Sequence, residues 1–417
     1  MRAEIVSVGT ELLLGQIVNT NAQYLSRGLA ELGIDVYYQT VVGDNMDRLL
    51  ETIRLARTRA DLLVFTGGLG PTMDDLTRDA VAAYLGRGLT VHEPTMKKLE
   101  DMFSSRGGAW IESNRRQALL VEGATPLRNA TGLAIGNALT ADGTHYVLLP
   151  GPPREMKPMF DNEASEWLRG LLGPSAVLHS VMMRFAGIGE SALEDSLIDL
   201  IREQTDPTIA PYAKEGEVII RVSTKAADAG EAARKLEPTL AEIRRRTERY
   251  LYAEEDIPVE EAVLRLLVGH GRTLALAESC TGGMAAEMIT ALPGSSEAFL
   301  GGVVSYTNGV KRGILGVPEA LLEGAGAAGA VSAETAAAMA EGVREAAGAD
   351  FGVSVTGVAG PSESEGKPVG LVYLGLAERG RPTRTEKLQL SGDREGIRIR
   401  ASKRLYYMLW LALTGRQ

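Results

Sequence analysis

From Ala3 to Thr66 the chain alternates between two hydrophobic periods. The runs AEIVSVG, IDVYYQTVVGD and ADLLVFTGG carry the β-branched and aromatic residues of strands, and between them NTNAQYLSRGLAELG and NMDRLLETIRLAR repeat apolar positions every three or four residues, as helices do. Strands alternating with helices form parallel sheets joined by crossover helices, so this segment reads as a doubly wound α/β domain. After HYVLLPGPPREMKPMF a helix ends near Leu172, where Gly173 and Pro174 punctuate the chain, and a first domain over 1–172 is expected. A smaller block over 173–254 follows, with a strand in HSVMMRFAG, one helix over GESALEDSLIDLIREQ, a strand in GEVIIRVSTKA and a long helix from Glu231 to Arg249: a compact α+β arrangement. Over 255–417 the composition shifts to Ala and Gly. The strands RTLALAES, LGGVVSY, ADFGVSVTG and PVGLVYLGLA there predict a second doubly wound α/β domain, in which SAET before an Ala/Met period marks a capped helix start.

Composition narrows the chemistry. Of 417 residues 45% are hydrophobic and 24% charged, as in soluble globular proteins, and no run approaches the roughly 18 apolar residues of a membrane helix. The opening MRAEIVSVGTELL lacks the features of a secretory signal, so no membrane partner and a cytoplasmic location are expected. A single cysteine, Cys280, and four histidines leave any metal to be held by oxygen. The net charge of -10 argues against general nucleic-acid binding and leaves open only a local basic face.

In the third domain the candidate chemistry gathers where strands end. RTLALAES ends at Glu278-Ser279, and Cys280-Thr281-Gly282-Gly283 opens a helix; free backbone N–H groups at such a junction suit a phosphate or a developing oxyanion. A second strand ends at Ser305-Tyr306 and leads into the helix bearing Lys311, and a third ends at Thr356-Gly357, so three loops converge on one edge. A serine nucleophile needs a base. His270, the domain's one histidine, precedes the first strand and lies at the wrong end for a Ser-His-Asp triad. A desolvated lysine has a lowered pKa and can take that role, with Tyr306 relaying or orienting the proton. Plainer readings stand beside this one: a tight turn at Gly282-Gly283, a solvated Lys311 and a packing Tyr306. Cys280 is either a rival nucleophile or a small buried thiol.

In the first domain TGGLGPTMDDLTRDA, from Thr66 to Ala80, is a Gly-rich turn between strand and helix, and an anion cradle in principle. Glu11, Asn19, Asn21 and Asp44 fall at neighbouring strand ends. Carboxylates beside a phosphate loop are what a hard divalent cation needs to bridge protein and pyrophosphate. Alternatively Asp74, Asp75 and Thr77 cap the next helix.

AESCTGG (277–283), SYTNGVKRGILGV (305–317), VSAETA (from Val331), SVTGVAGP (354–361) and PVGLVY (from Pro368) together resemble the nicotinamide mononucleotide deamidase family. The resemblance implies metal-free hydrolysis of the nicotinamide carboxamide, giving nicotinic acid mononucleotide and ammonia. Ser279 would be the nucleophile and Tyr306 and Lys311 the activating pair. Thr281, Gly282 and Gly283 would cradle an oxyanion or phosphate, Thr356 and Gly357 would line the pocket, and Arg394 or Arg398 would reach the phosphate. The N-terminal segments resemble the MogA-like molybdopterin-binding family, and the two matches together resemble the full-length CinA family of competence/damage-inducible proteins. That implies chemistry at Asp44 and Asp75, and substrate contacts from Asn19, Thr66, Gly67, Gly68 and Gly70. A divalent metal, magnesium or cobalt, would sit at Glu11, Asp44, Asp74 and Asp75, with potassium a further candidate. The version with Glu11, NTN and PGPPREM implies cleavage of ADP-ribose to AMP and ribose 5-phosphate. The middle block resembles a KH-type domain. Its GIGE turn, Gly187–Glu190, is similar to a KH clamp but lacks the basic surroundings that RNA needs, so a structural or dimer-forming role and a homodimer are expected. Two rivals remain: a molybdopterin-binding or adenylylating enzyme, and a non-enzymatic partner in DNA uptake or recombination.

Overall fold

The computed structural model describes residues 1–105, 111–172 and 177–416; Gly173 and Pro174, where the first boundary is expected, lie outside the described residues. The chain divides into two compact units, residues 1–179 with 225–232, and residues 180–224 with 233–417.

The first unit holds β1 (Arg2–Val8), β2 (Asp35–Val42), β3 (Leu62–Thr66), β4 (Leu89–Val91), β5 (Leu119–Val121), β6 (Thr125–Leu127), β7 (Gly136–Ala141) and β8 (Thr144–Leu149). Six form one sheet in the order β2-β1-β3-β8-β7-β6, while β4 and β5 pair separately. Strands β2, β1, β3 and β8 run parallel, as the alternating pattern predicts. The sheet is not parallel throughout, because β7 and β6 join antiparallel. The cause is local: Asp142 and Gly143 both have positive φ, 48° and 75°, and this two-residue turn folds β7 directly onto β8. Period-two alternation sends Val6, Leu63 and Phe65 to one face and Ile5, Leu62 and Val64 to the other, with helices burying both. Asn19 and Asn45 cap the helices Thr20–Glu31 and Met46–Ala56 by accepting from the amides of Ala22 and Arg48.

The middle block is a four-stranded sheet of β9 (Val177–Ala186), β10 (Thr208–Lys214), β11 (Glu217–Ala226) and β12 (Leu251–Ala253), ordered β10-β11-β9-β12. The single helix expected over GESALEDSLIDLIREQ is two, Glu190–Ser196 and Ile198–Glu203. They part at Leu197, which leaves helical geometry while remaining fully buried. Strand β10 escapes the hydrophobic pattern because it is an edge strand, half exposed, with Pro211 inside it.

The C-terminal domain has β13 (Leu274–Glu278), β14 (Phe299–Val304), β15 (Phe351–Gly357), β16 (Leu371–Glu378) and β17 (Arg384–Gln389) in the order β14-β13-β15-β16-β17. β13 is parallel to β14 and β15, whereas β16 and β17 are antiparallel. On one face Leu274 and Leu276 pack with the helices Val259–Gly269 and Arg394–Thr414. On the other, Ala275 and Ala277 meet Leu315, Met339 and Val343 from the helices Asn308–Leu315 and Ala333–Ala347. Ser332 caps the latter through the Thr335 amide, as SAET predicts. Parallel β13, β14 and β15 therefore end at one edge. No helix among the described residues is long and apolar enough to cross a membrane.

The helix Ala333–Ala347 crosses the end of the helix Asn308–Leu315 at Gly342, where a Cβ would lie 1.9 Å from the Leu315 carbonyl oxygen. Alanine favours helix by about 1 kcal/mol. The clash is expected to outweigh this, so that Gly342→Ala loses about 1–3 kcal/mol of stability in urea denaturation; a midpoint equal to the parent's or higher would show that the two helices part without strain.

Candidate functional site

At the C-terminal edge the backbone amide of Ser279 donates to Val355 on β15 at 2.9 Å, and that of Ser305, just past β14, donates to the Glu278 carbonyl at 2.7 Å. The next helix starts at once, with the Thr307 hydroxyl accepting from the Val310 amide. Its first turns carry Lys311 inward, to 1% exposure. The Lys311 Nζ donates to the Ser305 carbonyl at 2.7 Å and lies 3.0 Å from the Ser279 Oγ. Burial pushes the Lys311 ammonium below the ordinary lysine value, opposed by the negative charge of Glu365. Among the described residues no carboxylate stands within ion-pair distance of it. Lys311 is thus no solvated helix residue. Cys280 is buried and its thiol is pushed up to about 12, chiefly by that burial, which leaves it protonated and a poor nucleophile.

Tyr306 departs from expectation. It is 59% exposed, and its hydroxyl accepts from Arg394 Nη2 at 3.2 Å instead of bonding Ser279 or Lys311. Ser305 and Tyr306 are neighbours at a strand end; Ser305 is buried beside the lysine and Tyr306 turns outward. Arg394 also donates to the Gly360 carbonyl, so it ties the loop after β14 to the loop after β15. Arg398 is engaged elsewhere, donating to the Thr281 carbonyl from Nε at 3.2 Å and Nη2 at 2.7 Å.

The expectation of free amides at Gly283 also needs correction. Glu278, 1% exposed, folds its carboxylate over the start of the helix Met284–Thr290 and accepts from the amides of Gly283 (3.0 Å), Ala285 (3.0 Å) and Ala286 (2.8 Å). The Gly282 amide bonds the Ser279 carbonyl at 3.1 Å. Among the described residues this leaves the Cys280 and Thr281 amides as the donors nearest Ser279. Gly282 and Gly283 have φ of +60° and +98°, a consecutive left-handed pair that needs glycine. The Thr281 hydroxyl is buried and unpartnered. The Thr356 hydroxyl donates to the Ala330 carbonyl at 2.6 Å, and Gly357 packs against Leu371 and Val372, so both help to hold the neighbouring chain in place. Glu278 was missed from sequence. Its signal was an acid between an apolar strand and a glycine turn, where it meets a helix's positive end.

At the N-terminal edge a cleft of about 570 Å³ brings together Glu11, Asn19, Asp44, Thr66, Gly67, Gly68, Gly70, Asp74 and Asp75. Gly67, at φ +102°, crosses the end of β1 so closely that a Cβ would sit 2.1 Å from the Val8 carbonyl oxygen. Asp75 does not cap the helix Thr77–Leu85; it accepts from the Thr72 amide at 2.8 Å and from the Thr72 hydroxyl. Asp44 accepts from both the amide and the hydroxyl of Thr10 at 2.8 Å. Asn19 is engaged in capping and with Ser7. Among the described residues no three acidic, imidazole or thiol groups stand at metal-ligand spacing, so Glu11, Asp44, Asp74 and Asp75 do not form a ready cage. One further donor borders the cleft. Asn21 gives its amide nitrogen to Thr66 Oγ1 and the Gly151 carbonyl, and its Oδ1 is buried without a partner. Gln117 and Glu155 also line the cleft, and neither was anticipated.

Fold and site together define a chain with a molybdopterin-binding-type domain, a KH-type block and an α/β domain whose strand ends hold a serine beside a buried lysine. Residues 4–170 match a probable molybdopterin binding domain, 180–253 the damage-inducible protein CinA KH domain and 256–413 the CinA C-terminal domain. The chain belongs to the CinA family. It is 51% identical over 403 residues to a putative competence-damage inducible protein of Geobacillus kaustophilus, covering 97% of each chain. It is 49% identical over 426 residues to one of Symbiobacterium thermophilum, covering 100% of this chain and 99% of that one. A solved CinA protein of unknown function from Thermoplasma acidophilum is 31% identical, with a TM-score of 0.36, over 40% of this chain and 96% of its own.

Glu278→Ala would leave the amides of Gly283, Ala285 and Ala286 without their acceptor, and a loss of about 3 kcal/mol or more is expected. Urea denaturation measures it, and a parental midpoint would mean that the carboxylate carries no structural weight.

Proposed function

We propose that the C-terminal domain hydrolyses the carboxamide of nicotinamide mononucleotide. The observation that carries this reading is the buried Lys311 amine 3.0 Å from the Ser279 oxygen. Neutral Lys311, its orientation held by donation to the Ser305 carbonyl, takes the Ser279 proton as Oγ attacks the carboxamide carbon. The Cys280 and Thr281 amides receive the developing oxyanion. As the C–N bond breaks, Lys311 returns its proton to the departing nitrogen, which leaves as ammonia. Water then attacks the Ser279 ester, Lys311 accepts its proton and hands it to Ser279, and nicotinic acid mononucleotide is freed. Arg394 is the better phosphate ligand of the two arginines: it is exposed and its partners are neutral oxygens, whereas Arg398 holds the turn.

We further propose that the N-terminal cleft cleaves ADP-ribose with the help of a divalent cation. Its donors are all oxygen, and the orphaned Asn21 Oδ1 fits a hard cation. Glu11, Asp44, Asp74 and Asp75 line the cleft without forming a cage by themselves, so the cation would be held jointly by these carboxylates, Asn21 and the substrate's own oxygens, and would supply charge neutralisation at the phosphates. The glycines at 67, 68 and 70 let the phosphates approach the backbone.

Ammonia release is expected to survive EDTA and to fall at least about a thousandfold in Ser279→Ala, and by a factor on the order of 10² to 10⁴ in Lys311→Met. Because only neutral Lys311 is a base, the rate should climb as pH rises through its ionisation, with an inflection below the 10.5 of free lysine. A rate that falls between neutral and mildly alkaline pH would refute the lysine's role.

Cleavage of ADP-ribose to AMP and ribose 5-phosphate is expected to need added divalent metal and to be lost in Asp75→Ala while ammonia release persists. Calorimetry that finds tight pterin binding and no ADP-ribose turnover would instead make the cleft a molybdopterin site.

A further inference from the structure

Along the helix Arg394–Thr414 lies a group of buried charges for which the proposed amidase chemistry has no use. Lys403, 8% exposed, places its Nζ 2.8 Å from Glu217 on β11 and 2.8 Å from Glu260 in the helix Val259–Gly269. The other Glu217 oxygen accepts from the Val259 amide at 3.0 Å and from the Tyr252 hydroxyl on β12. One ammonium between two nearly dry carboxylates is a demanding arrangement: removing one member leaves a buried charge uncompensated, so the cluster holds its parts in one geometry. One turn further along, the Tyr407 hydroxyl donates to the Arg249 carbonyl at 2.8 Å. Gly187, at φ +76°, approaches so closely that a Cβ would fall 2.2 Å from the Tyr407 ring and 2.6 Å from the Arg404 guanidinium. The glycine turn that resembles a KH clamp thus packs against this chain's own helix.

The same helix also grips the nucleophile turn. Arg398 holds the Thr281 carbonyl, and the Tyr406 hydroxyl donates to the Ala285 carbonyl, one on each side of Gly282-Gly283. Arg398 and Lys403 are about 7.5 Å apart along the axis. Ile397, Ala401 and Leu405 between and beside them are fully buried, so the helix shifts as one body.

We propose that the middle block is a brace for the nucleophile turn: by fixing this helix at Lys403, Arg404 and Tyr407, it sets where Arg398 and Tyr406 hold the Thr281 and Ala285 carbonyls, and so where Ser279 stands against Lys311. The rate consequence rests on the amidase reading; the structural consequence does not. Lys403 and Glu217 are positioning residues.

The test uses the full chain with Lys403→Met, Glu217→Gln and Lys403→Arg. In Lys403→Met, kcat for nicotinamide mononucleotide is expected to fall about tenfold with KM within about twofold, since a small misplacement of a nucleophile costs turnover before binding. The pH inflection should not move, because the surroundings of Lys311 are intact, and Lys403→Arg should restore most of the loss. The global unfolding midpoint is expected to fall, and by hydrogen exchange the amides of Gly283, Ala285 and Ala286 are expected to open about tenfold faster than that loss of global stability alone produces in the rest of the C-terminal domain. A folded Lys403→Met with parental kcat and no such excess opening at these amides overturns the brace. If Lys403→Met does not fold, Glu217→Gln, which keeps the side-chain shape and the Lys403–Glu260 pair, decides by the same two readouts, with a smaller fall expected. If the parent protein releases no ammonia at all, the amidase reading fails, and the brace is decided by exchange alone: excess opening at 283–286 over the rest of the C-terminal domain supports it, and its absence overturns it.

Discussion

An amine buried without an anion beside it is costly in its charged form, and the C-terminal domain is arranged around that constraint. Lys311 reaches its position because Thr307 starts a helix directly after β14 and because Gly342 lets a second helix lie close against the end of the first. Its partners are a carbonyl and a hydroxyl, which solvate an amine without fixing a proton on it. A carboxylate at the same distance would restore the ammonium and remove the base. On the proposed reading, the lack of an ion pair to Lys311 among the described residues is what would let it activate the serine.

Around the pair, charge is used to hold backbone. Glu278 closes the positive end of the short helix that follows Ser279, and Arg398 takes the carbonyl of Thr281. Opposite charges thus grip the two polarities of one turn, donors by the carboxylate and an acceptor by the guanidinium. The arrangement also keeps Glu278 turned toward the helix and away from the amine, which would otherwise gain the counter-ion it lacks.

Much of this was legible in sequence because strand ends and glycine turns are local signals. The period-two runs placed β1, β2, β3, β13, β14 and β15, and their C-terminal ends gathered Ser279 with Lys311, and Asp44 with Asp75. Even the antiparallel β7 had its signal in Asp142-Gly143, which a count of strand–helix alternation overlooked. What escaped depends on side-chain direction. Tyr306 and Ser305 are adjacent in sequence, and only the local backbone decides which of them faces the lysine. Glu278 escaped because an acid at a strand end reads as a solvated residue until the following helix is seen to begin beneath it. The break at Leu197 escaped because its burial is tertiary, while its neighbours keep helical spacing.

The two strand-end sites solve different electrostatic problems. In the N-terminal cleft Asp44 and Asp75 each accept from a threonine amide and hydroxyl. On the reading proposed for this cleft, its carboxylates would repel a diphosphate unless a cation intervened. At the C-terminal edge an amine stands beside the serine and Arg394 lies farther out, a set that on the proposed reading would accept an anionic nucleotide directly. One chain thus carries two strand-end sites that differ in whether carboxylates or a buried amine stand at the ends of the strands.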